Sequence, residues 1–118
     1  MKFAFICTDD GNQDEVRSTH LIEHLRYVES VLDKIVVAGP CMPSDEGDER
    51  QFQGSIMVYQ ADSEAEAQAL FDGDPYVKNG VWKKVRVMPF APVAGQYVGG
   101  KTWRIENDEM VRAEPHGL

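Results

Sequence analysis

The chain opens with a short apolar run followed by a long amphipathic segment. Residues 2–8 (KFAFICT) are apolar and aromatic and end at acidic residues, which predicts a β-strand. Between about residues 13 and 32, apolar side chains recur at three- and four-residue steps, at Leu21, Leu25, Val28 and Leu32. No Gly or Pro interrupts this segment. The spacing therefore predicts a helix with one apolar face.

Strand-like runs then return twice. Residues 34–39 (KIVVAG) predict a second strand, which we expect Gly39 and Pro40 to stop. Residues 52–61 (FQGSIMVYQA) predict a third strand. The polar stretch 41–50 between them is rich in turn formers and predicts an exposed loop.

A second helix and a fourth strand complete the pattern. Asp62 or Ser63 can cap a helix over residues 63–71, because a short side-chain oxygen accepts hydrogen bonds from the free N–H groups of a first turn. Residues 81–90 (VWKKVRVMPF) alternate in character and predict a strand. That alternation places four side chains on one face: Trp82, Lys84, Arg86 and Met88.

The predicted order is β-α-β-β-α-β, the ferredoxin-like arrangement of an α+β fold. Its antiparallel four-stranded sheet carries both helices on one face. The other face is open, although it holds apolar residues such as Phe3 or Ala4, Val36, and Met57 or Val58. An exposed apolar sheet face needs a partner, so we predict a homodimer through the open sheet face.

The last 25 residues form a separate pattern. Gly99 and Gly100 predict a turn, and residues 101–114 predict two short strands around Asn107 and Asp108. We therefore divide the chain into a domain at residues 1–93 and a C-terminal β-hairpin extension at residues 94–118. The extension is expected to cover a sheet edge or the partner subunit; alternatively, Trp103 helps to roof a pocket.

Composition narrows the classes of partner. The chain has 118 residues, of which 42% are hydrophobic and 27% charged, which predicts one globular domain. No apolar run of about 18 residues and no signal peptide is evident, so we expect a cytoplasmic protein without a membrane partner. Cys7 and Cys41 lack CxxC spacing, which argues against a disulfide framework or a zinc site. The net charge of −8 argues against nucleic acid as a partner.

Candidate chemistry begins on the first helix. Phosphate-loop, dinucleotide, nucleophile-elbow and HExxH motifs are all missing from the sequence. Arg17, His20 and His24 lie within two helical turns, and the two histidines share a face at i, i+4 spacing. A half-buried histidine beside an apolar face suits acid–base work. The pair could also bind a metal, but two histidines are too few for a closed site.

Asp74, Pro75 and Tyr76 form a second candidate. Pro75 suits the first turn of a short helix, and Asp74 before it is expected to accept a hydrogen bond from a backbone N–H two residues on. Tyr76 is expected at the edge of the core with its hydroxyl in water. Ser55 lies in the third strand, where a turn or a bulge is the simpler interpretation.

Together these segments resemble the YCII-related (YciI-like) domain family of dimeric α+β barrel proteins. The matching motifs are RxxH at residues 17–20, VVAGP at 36–40, FQGSIMV at 52–58, SEAEAQAL at 63–70, DPYVKNGVW at 74–82 and VRVMPF at 85–90. The match covers roughly residues 1–92. Ser18 stands where the family often has Pro, and the tail from about Ala94 lies outside the usual domain.

The resemblance implies a ferredoxin-like fold whose sheets pair across a dimer, similar to muconolactone-isomerase-like proteins. It also implies a His–Asp pair as the active site. Carried over by motif, the catalytic pair is His20 and Asp74, and Arg17, Ser55 and Tyr76 line the same cleft as substrate-binding residues. Neither a metal nor an organic cofactor is required.

We therefore predict a small cofactor-independent enzyme with lyase- or isomerase-type acid–base chemistry on a small organic acid or phenolic metabolite. His20 would be the base, Asp74 would orient it, and Arg17 would hold a substrate carboxylate. The alternative is a non-catalytic module that binds a small ligand or serves as an accessory dimerisation domain. A third hypothesis is metal binding through His20 and His24.

Overall fold

The computed structural model describes residues 1–9, 12–42 and 52–116. Within these ranges the elements are β1 (Lys2–Thr8), α1 (Asp14–Ser30), β2 (Ile35–Cys41), β3 (Gly54–Gln60), α2 (Glu64–Asp72), α3 (Pro75–Lys78), β4 (Lys84–Phe90), β5 (Ala94–Gly95), β6 (Gly100–Glu106) and β7 (Glu109–His116). Single 3₁₀ turns lie at Leu32–Lys34 and Gln96–Val98. Most of the loop predicted at 41–50 lies outside the described residues.

The first four strands form one antiparallel sheet in the order β2-β3-β1-β4. β1 occupies the interior of the sheet, with Phe5 opposite Met57 on β3 and Val87 on β4. Consecutive strands β1 and β2 are separated by β3, as a split βαβ arrangement requires. The predicted ferredoxin-like α+β fold is confirmed.

Two predicted strand limits were wrong. β2 continues through Gly39 and Pro40 to Cys41, because β2 is an edge strand, where a residue without an N–H can be accommodated. β4 begins at Lys84 and not at residue 81. Trp82 consequently lies before the strand, buried in the core, and does not share a strand face with Lys84, Arg86 and Met88 as alternation predicted.

The core lies between the sheet and the helices. Phe3, Phe5 and Cys7 alternate along β1 toward the helical layer and are fully buried. Phe5 stacks on Phe71 of α2 with ring centroids 4.5 Å apart. Burial of these aromatic side chains is the main force that holds α2 on the sheet.

The apolar face of α1 does not join this core. Leu21 and Leu25 are 42% and 43% exposed, whereas Arg17 is the buried residue of the helix. Leu21, Leu25 and Val28 instead line a cavity between α1 and the sheet. The pattern predicted the helix correctly, but its apolar residues form a cavity wall.

The sheet face away from the helices is partly apolar, as predicted. Ala4 on β1 stands opposite Val58 on β3 and Met88 on β4. Ala4 and Val58 are buried, whereas Ile56 is 44% exposed and Met88 and Phe90 are also exposed. This open face therefore presents apolar side chains to solvent.

The C-terminal residues form a second antiparallel sheet in the order β5-β6-β7. Asn107 and Asp108 join β6 to β7 with positive φ angles of 53° and 62°, which identifies the two-residue type I′ turn that favours a hairpin. The predicted hairpin is confirmed. The molecule is elongated, with principal extents of 55 × 35 × 22 Å.

Candidate functional site

A cavity of about 300 Å³ opens between α1 and the β2–β3 half of the sheet. Its walls are mainly apolar and aromatic, with a few polar side chains among them. The lining residues are Arg17, Leu21, His24, Leu25, Tyr27, Val28, Val31, Ile35, Ala38, Gly39, Pro40, Phe52, Ser55, Met57, Tyr59, Tyr76 and Trp82. Three of the predicted site residues, Arg17, Ser55 and Tyr76, are in this wall.

Asp74 is fixed behind the wall by its role as the N-cap of α3. Its backbone is extended (φ −71°, ψ 127°), and Pro75 begins the helix. Oδ1 accepts a hydrogen bond from the N–H of Tyr76 at 2.9 Å, the capping geometry predicted from the sequence. The residue is only 1% exposed. A buried carboxylate needs partners for its charge, and the cap supplies one.

His24 supplies the second partner of Asp74. Its Nδ1 lies 2.7 Å from Asp74 Oδ1, and its ring stacks on Tyr76 with centroids 3.8 Å apart and planes 2° from parallel. Because an ionised carboxylate only accepts, Nδ1 carries the proton, and Nε2 of the neutral ring is left as the acceptor. The pair thus fixes both the orientation and the tautomer of a ring that lines the cavity.

The predicted hydrogen bond between His20 and Asp74 is wrong. His20 Nδ1 instead lies 3.3 Å from Glu23 Oε2, and His20 is not among the described residues that line the cavity. The reason is helical geometry: His24 follows Arg17 by seven residues, almost two full turns, so both project to one side. The seven-residue spacing from Arg17 is the sequence signal that favours His24, although His20, three residues after Arg17, also lies on that side of the helix.

Arg17 is buried in a largely aromatic surrounding. One Nη donates to Asp9 Oδ2 at 3.2 Å and to the carbonyl of Gly54 at 3.3 Å. The guanidinium carbon lies 5.2, 5.7 and 6.0 Å from the ring centroids of Phe52, Tyr76 and Trp82. The cation is thus held by one carboxylate and three rings at the cavity wall.

The hydroxyls of Tyr76 and Ser55 already donate within the protein. Tyr76 Oη donates to the carbonyl of Arg17 at 3.0 Å, and Ser55 Oγ donates to the carbonyl of Gly39 at 2.9 Å. Burial, with a smaller contribution from Asp74, raises the pKa of Tyr76 even though Arg17 acts in the opposite sense. Tyr76 therefore stays protonated near neutral pH and presents its ring to the cavity.

Two aromatic residues of the cavity wall, Phe52 and Trp82, were not predicted from the sequence. Trp82 packs at the edge of the Tyr76 ring, with centroids 6.0 Å apart. For Trp82 the sequence signal was Gly80, because glycine favours a turn. In the structure Gly80 has a φ of +67° and forms a turn between α3 and β4. That turn returns the chain to the core before the strand begins.

Neither a metal-binding cluster nor a membrane-spanning helix occurs within residues 1–9, 12–42 and 52–116. No group of three or more His, Cys, Asp or Glu side chains there is placed to hold a metal ion. No helix in those ranges is long and apolar enough to cross a membrane.

Residues 1–91 match the sequence profile of the YCII-related domain. Protein YciI of Escherichia coli O6:H1 (strain CFT073) and Protein YciI of Shigella flexneri are each 32% identical to this chain over 97 residues. Each alignment covers 79% of this chain and 99% of the relative.

A solved structure is also similar. It is 5-chloro-2-hydroxyhydroquinone dehydrochlorinase from Burkholderia phenoliruptrix AC1100, in complex with 2,5-dihydroxybenzoquinone. The superposition has a TM-score of 0.70 and 28% sequence identity, and covers 82% of this chain and 98% of that one. That neighbour is a lyase-type enzyme holding a small ring compound, on a fold shared with this chain.

Proposed function

This chain belongs to the YCII-related domain family, and we propose that it is a cofactor-independent enzyme with lyase- or isomerase-type acid–base chemistry. Its substrate would be a small organic acid or phenolic metabolite. The observation that carries the proposal is the 2.7 Å contact between His24 Nδ1 and Asp74 Oδ1 at the wall of the cavity. The dehydrochlorinase activity of the structural neighbour supports the same class.

In the proposed mechanism, His24 is the general base. Its Nε2 takes a proton from a carbon or hydroxyl group of the substrate, and the ring becomes an imidazolium. Asp74 stabilises that positive charge through Nδ1 and keeps the ring oriented. Burial of the carboxylate strengthens this interaction, because little water competes for it. Asp74 thus keeps the role predicted for it, while His24 takes the role predicted for His20.

The reaction type depends on where the electron pair released by deprotonation goes. In a lyase reaction it forms a new π bond while a leaving group departs with the electron pair of its own bond. The proton from His24 is then released, so that the net products are the unsaturated compound and the acid of the leaving group. In an isomerase reaction the proton returns from His24 to a different atom of the same substrate. Neither route requires an oxidant or a reductant.

The cavity suits a small flat ring. Its volume of about 300 Å³ lies at the small end of ligand pockets. Phe52, Tyr76 and Trp82 present aromatic surfaces against which such a ring can stack. Arg17 attracts an anionic substituent, such as a phenolate or a carboxylate, and Ser55 Oγ can still accept a hydrogen bond.

The alternative function is a non-catalytic ligand-binding or accessory module. One observation favours it: Asp74 Oδ1 already serves as the cap of α3, so His24 can be read as its structural partner. Histidine titration followed by NMR shows whether His24 faces the ligand or is only structural. A His24 signal whose pKa moves on ligand binding places the ring at the ligand, whereas a signal that does not titrate between about pH 5 and 9 supports the structural role.

We also propose that the protein is a homodimer formed through the open sheet face. The support is the row of exposed apolar side chains on that face, including Ile56, Met88 and Phe90. Two such faces packed around a twofold axis would remove these side chains from water. Sedimentation as a monomer at about 10 μM would contradict the dimer.

The enzyme proposal is tested with 5-chloro-2-hydroxyhydroquinone, the compound in the neighbour's name, by following chloride release. His24→Ala should lower turnover roughly a hundredfold or more, the usual contribution of a positioned base. Asp74→Asn should also lower it, since the amide cannot stabilise the imidazolium. His20→Ala is the matched control: its side chain is bonded to Glu23, so turnover should be retained.

The outcomes can be told apart when each variant has the same melting temperature as the wild type. Full activity in His24→Ala would overturn the assignment of the base. Loss of activity in His20→Ala with retention in His24→Ala would indicate that His20, and not His24, is the base. Saturable binding of the ring compound without turnover by the wild type would favour the binding module.

A further inference from the structure

The cavity continues past the residues that would carry the proposed reaction. Arg17 and Ser55 lie at one end of it, which we call the proximal end, and Val31 and Ile35 lie at the other, the distal end. Val31 caps the C-terminus of α1. Because a helix rises about 1.5 Å per residue, the seven residues from His24 to Val31 extend the cavity about 10 Å beyond the proposed base.

The floor of the cavity runs in the same direction along β3 and β2. Six lining side chains form it in three cross-strand pairs: Ser55 with Pro40, Met57 with Ala38, and Tyr59 with Ile35. Side chains two residues apart share a strand face, so the pairs follow one another along the sheet. The floor therefore changes from a hydroxyl group at the proximal end to apolar side chains and a ring at the distal end.

The distal end offers a ligand few polar partners. Tyr59 Oη is directed to Met57 Sδ at 3.6 Å, and Tyr27 Oη donates to the carbonyl of Leu70 at 2.7 Å. No charged side chain is among the described residues that line this end. A polar group placed there would lose its hydrogen bonds to water without replacement, so the distal end selects an apolar group.

A single ring fills only about half of the cavity. An apolar cavity of about 150 Å³ is enough to hold benzene, whereas this one measures about 300 Å³. The ring that the proposed chemistry needs would lie at the proximal end, where Phe52, Tyr76 and Trp82 surround the guanidinium of Arg17. The distal half is left for another part of the same ligand.

The protein itself does not cover the apolar side of α1 above this half. The helix packs mainly on α3 and has few contacts with the strands below it. Leu25 is consequently 43% exposed, and Val28 is only half-buried. An apolar group in the distal end would remove these side chains from water, which is a favourable change.

We propose that the distal end is a subsite for a short alkyl chain carried by the ring of the substrate. With a ring hydroxyl at Arg17, the para position points along α1 toward Val31, so a para chain would enter between Val28 and Ile35. This inference rests on the proposed function. It narrows the substrate class from phenolic compounds in general to those with an alkyl substituent opposite a hydroxyl group.

Calorimetric binding of para-alkylphenols to the full-length chain tests the subsite without requiring turnover. From phenol to para-hexylphenol, the affinity should rise about threefold to fourfold for each methylene group until the distal end is filled. Ortho-butylphenol is the matched ligand control, because it carries the same chain but directs it across the cavity. It should bind several-fold more weakly than para-butylphenol.

Variants of the full-length chain test the place of the alkyl chain. Ala38→Phe puts a ring into the distal end, so it should bind phenol as the wild type does but lose most of the gain from the butyl chain. Leu32→Phe is the matched control, since Leu32 is 60% exposed and is not among the described lining residues; the gain should remain. Val31→Ala enlarges the distal end and should extend the gain to longer chains.

Three results would overturn the subsite. They are a wild type that binds para-butylphenol no more tightly than phenol or not at all, equal affinities for the ortho and para isomers, and a gain that persists in an Ala38→Phe variant with the wild-type melting temperature. Each of these leaves the enzyme proposal to the chloride-release measurement. A chain-dependent gain in a protein without turnover would instead support the subsite and overturn catalysis alone.

Discussion

At the scale of single residues, Asp74 shows how a local rule and a tertiary contact combine in one carboxylate. Its Oδ1 accepts from both Tyr76 N–H and His24 Nδ1. The first contact follows from the Asp-Pro sequence and was predictable from it. The second depends on where α1 packs against α3, which the i, i+4 spacing of His20 and His24 cannot determine. The motif therefore predicted a histidine of α1 beside Asp74, but the histidine that contacts Asp74 is His24, one turn after His20.

Cys7 gives a residue-scale prediction about pH. Burial, with smaller contributions from Cys41 and Asp74, raises the pKa of the Cys7 thiol from 9.0 to about 12, despite the opposing effect of Arg17. The unfolded chain therefore loses this proton before the folded chain does. The associated stability is complete below about pH 9 and is lost as pH rises from about 9 to 12. Urea unfolding of the wild type should show this loss.

Comparison with Cys7→Ala isolates the effect of the thiol. The wild type should be the more stable protein at pH 7, and the difference should shrink as pH rises above about 9. Burial also raises the pKa values of Tyr27, Tyr59 and Tyr76, but those groups are present in both proteins. Cys7→Ser is the control and should follow Cys7→Ala. If the free energy of unfolding changed with pH in the same way in the wild type and in Cys7→Ala, the raised pKa of the Cys7 thiol would be contradicted.

At the scale of elements, α2 and α3 were predicted with their caps, whereas strand ends and burial were not. Of the two predicted candidates, Asp62 and Ser63, it is Ser63 that caps α2, by accepting from Glu66 N–H. The extension of β2 through Pro40 depends on its edge position, a property of the sheet and not of the segment. The exposed Leu21 and Leu25 show the same limit: periodicity identifies the apolar side of α1 but not whether it meets a core or a cavity.

The contact between α1 and the turn after α2 yields a prediction. Tyr27 Oη donates to the carbonyl of Leu70 at 2.7 Å, and a Cβ on Gly73 would overlap the same hydroxyl. Gly73 has a helical backbone (φ −74°), so Gly73→Ala would act through this overlap alone. We expect it to lower the free energy of unfolding by about 1–3 kcal/mol, measured by urea denaturation.

A double variant provides the internal check on that contact. Tyr27→Phe removes the hydroxyl and costs about 1 kcal/mol for the lost hydrogen bond. In that background, Gly73→Ala should cost less than in the wild type, although the ring carbon Cζ, which the new Cβ would approach to 2.8 Å, keeps part of the cost. Gly39→Ala is the matched control, since a Cβ there meets no atom of the described chain within 4 Å. Equal costs for Gly73→Ala with and without the Tyr27 hydroxyl would contradict the overlap.

At the scale of the whole molecule, two surfaces of a single copy expose apolar side chains to solvent. The open sheet face exposes Ile56 and Phe90, and the C-terminal hairpin of β6 and β7 exposes Ile105 and Met110. Strand alternation in the sequence predicted the open sheet face, whereas for the C-terminal extension the sequence predicted only the hairpin. It could not predict how two open sheet faces meet, since that depends on the twist of two sheets and on the position of a twofold axis.

The open face yields the last prediction, which tests the sheet packing of the proposed dimer. Ile56 lies on β3 in the sheet interior. Ile56→Lys would place a charge in the centre of the proposed interface, so the chain should sediment as a monomer while its circular dichroism stays native. Leu32→Lys, at an apolar position that is 60% exposed near the end of α1, should remain a dimer. A lysine buried between the two sheets would find no carboxylate to pair with among the side chains described on that face. A dimeric Ile56→Lys variant would therefore show that the interface lies elsewhere.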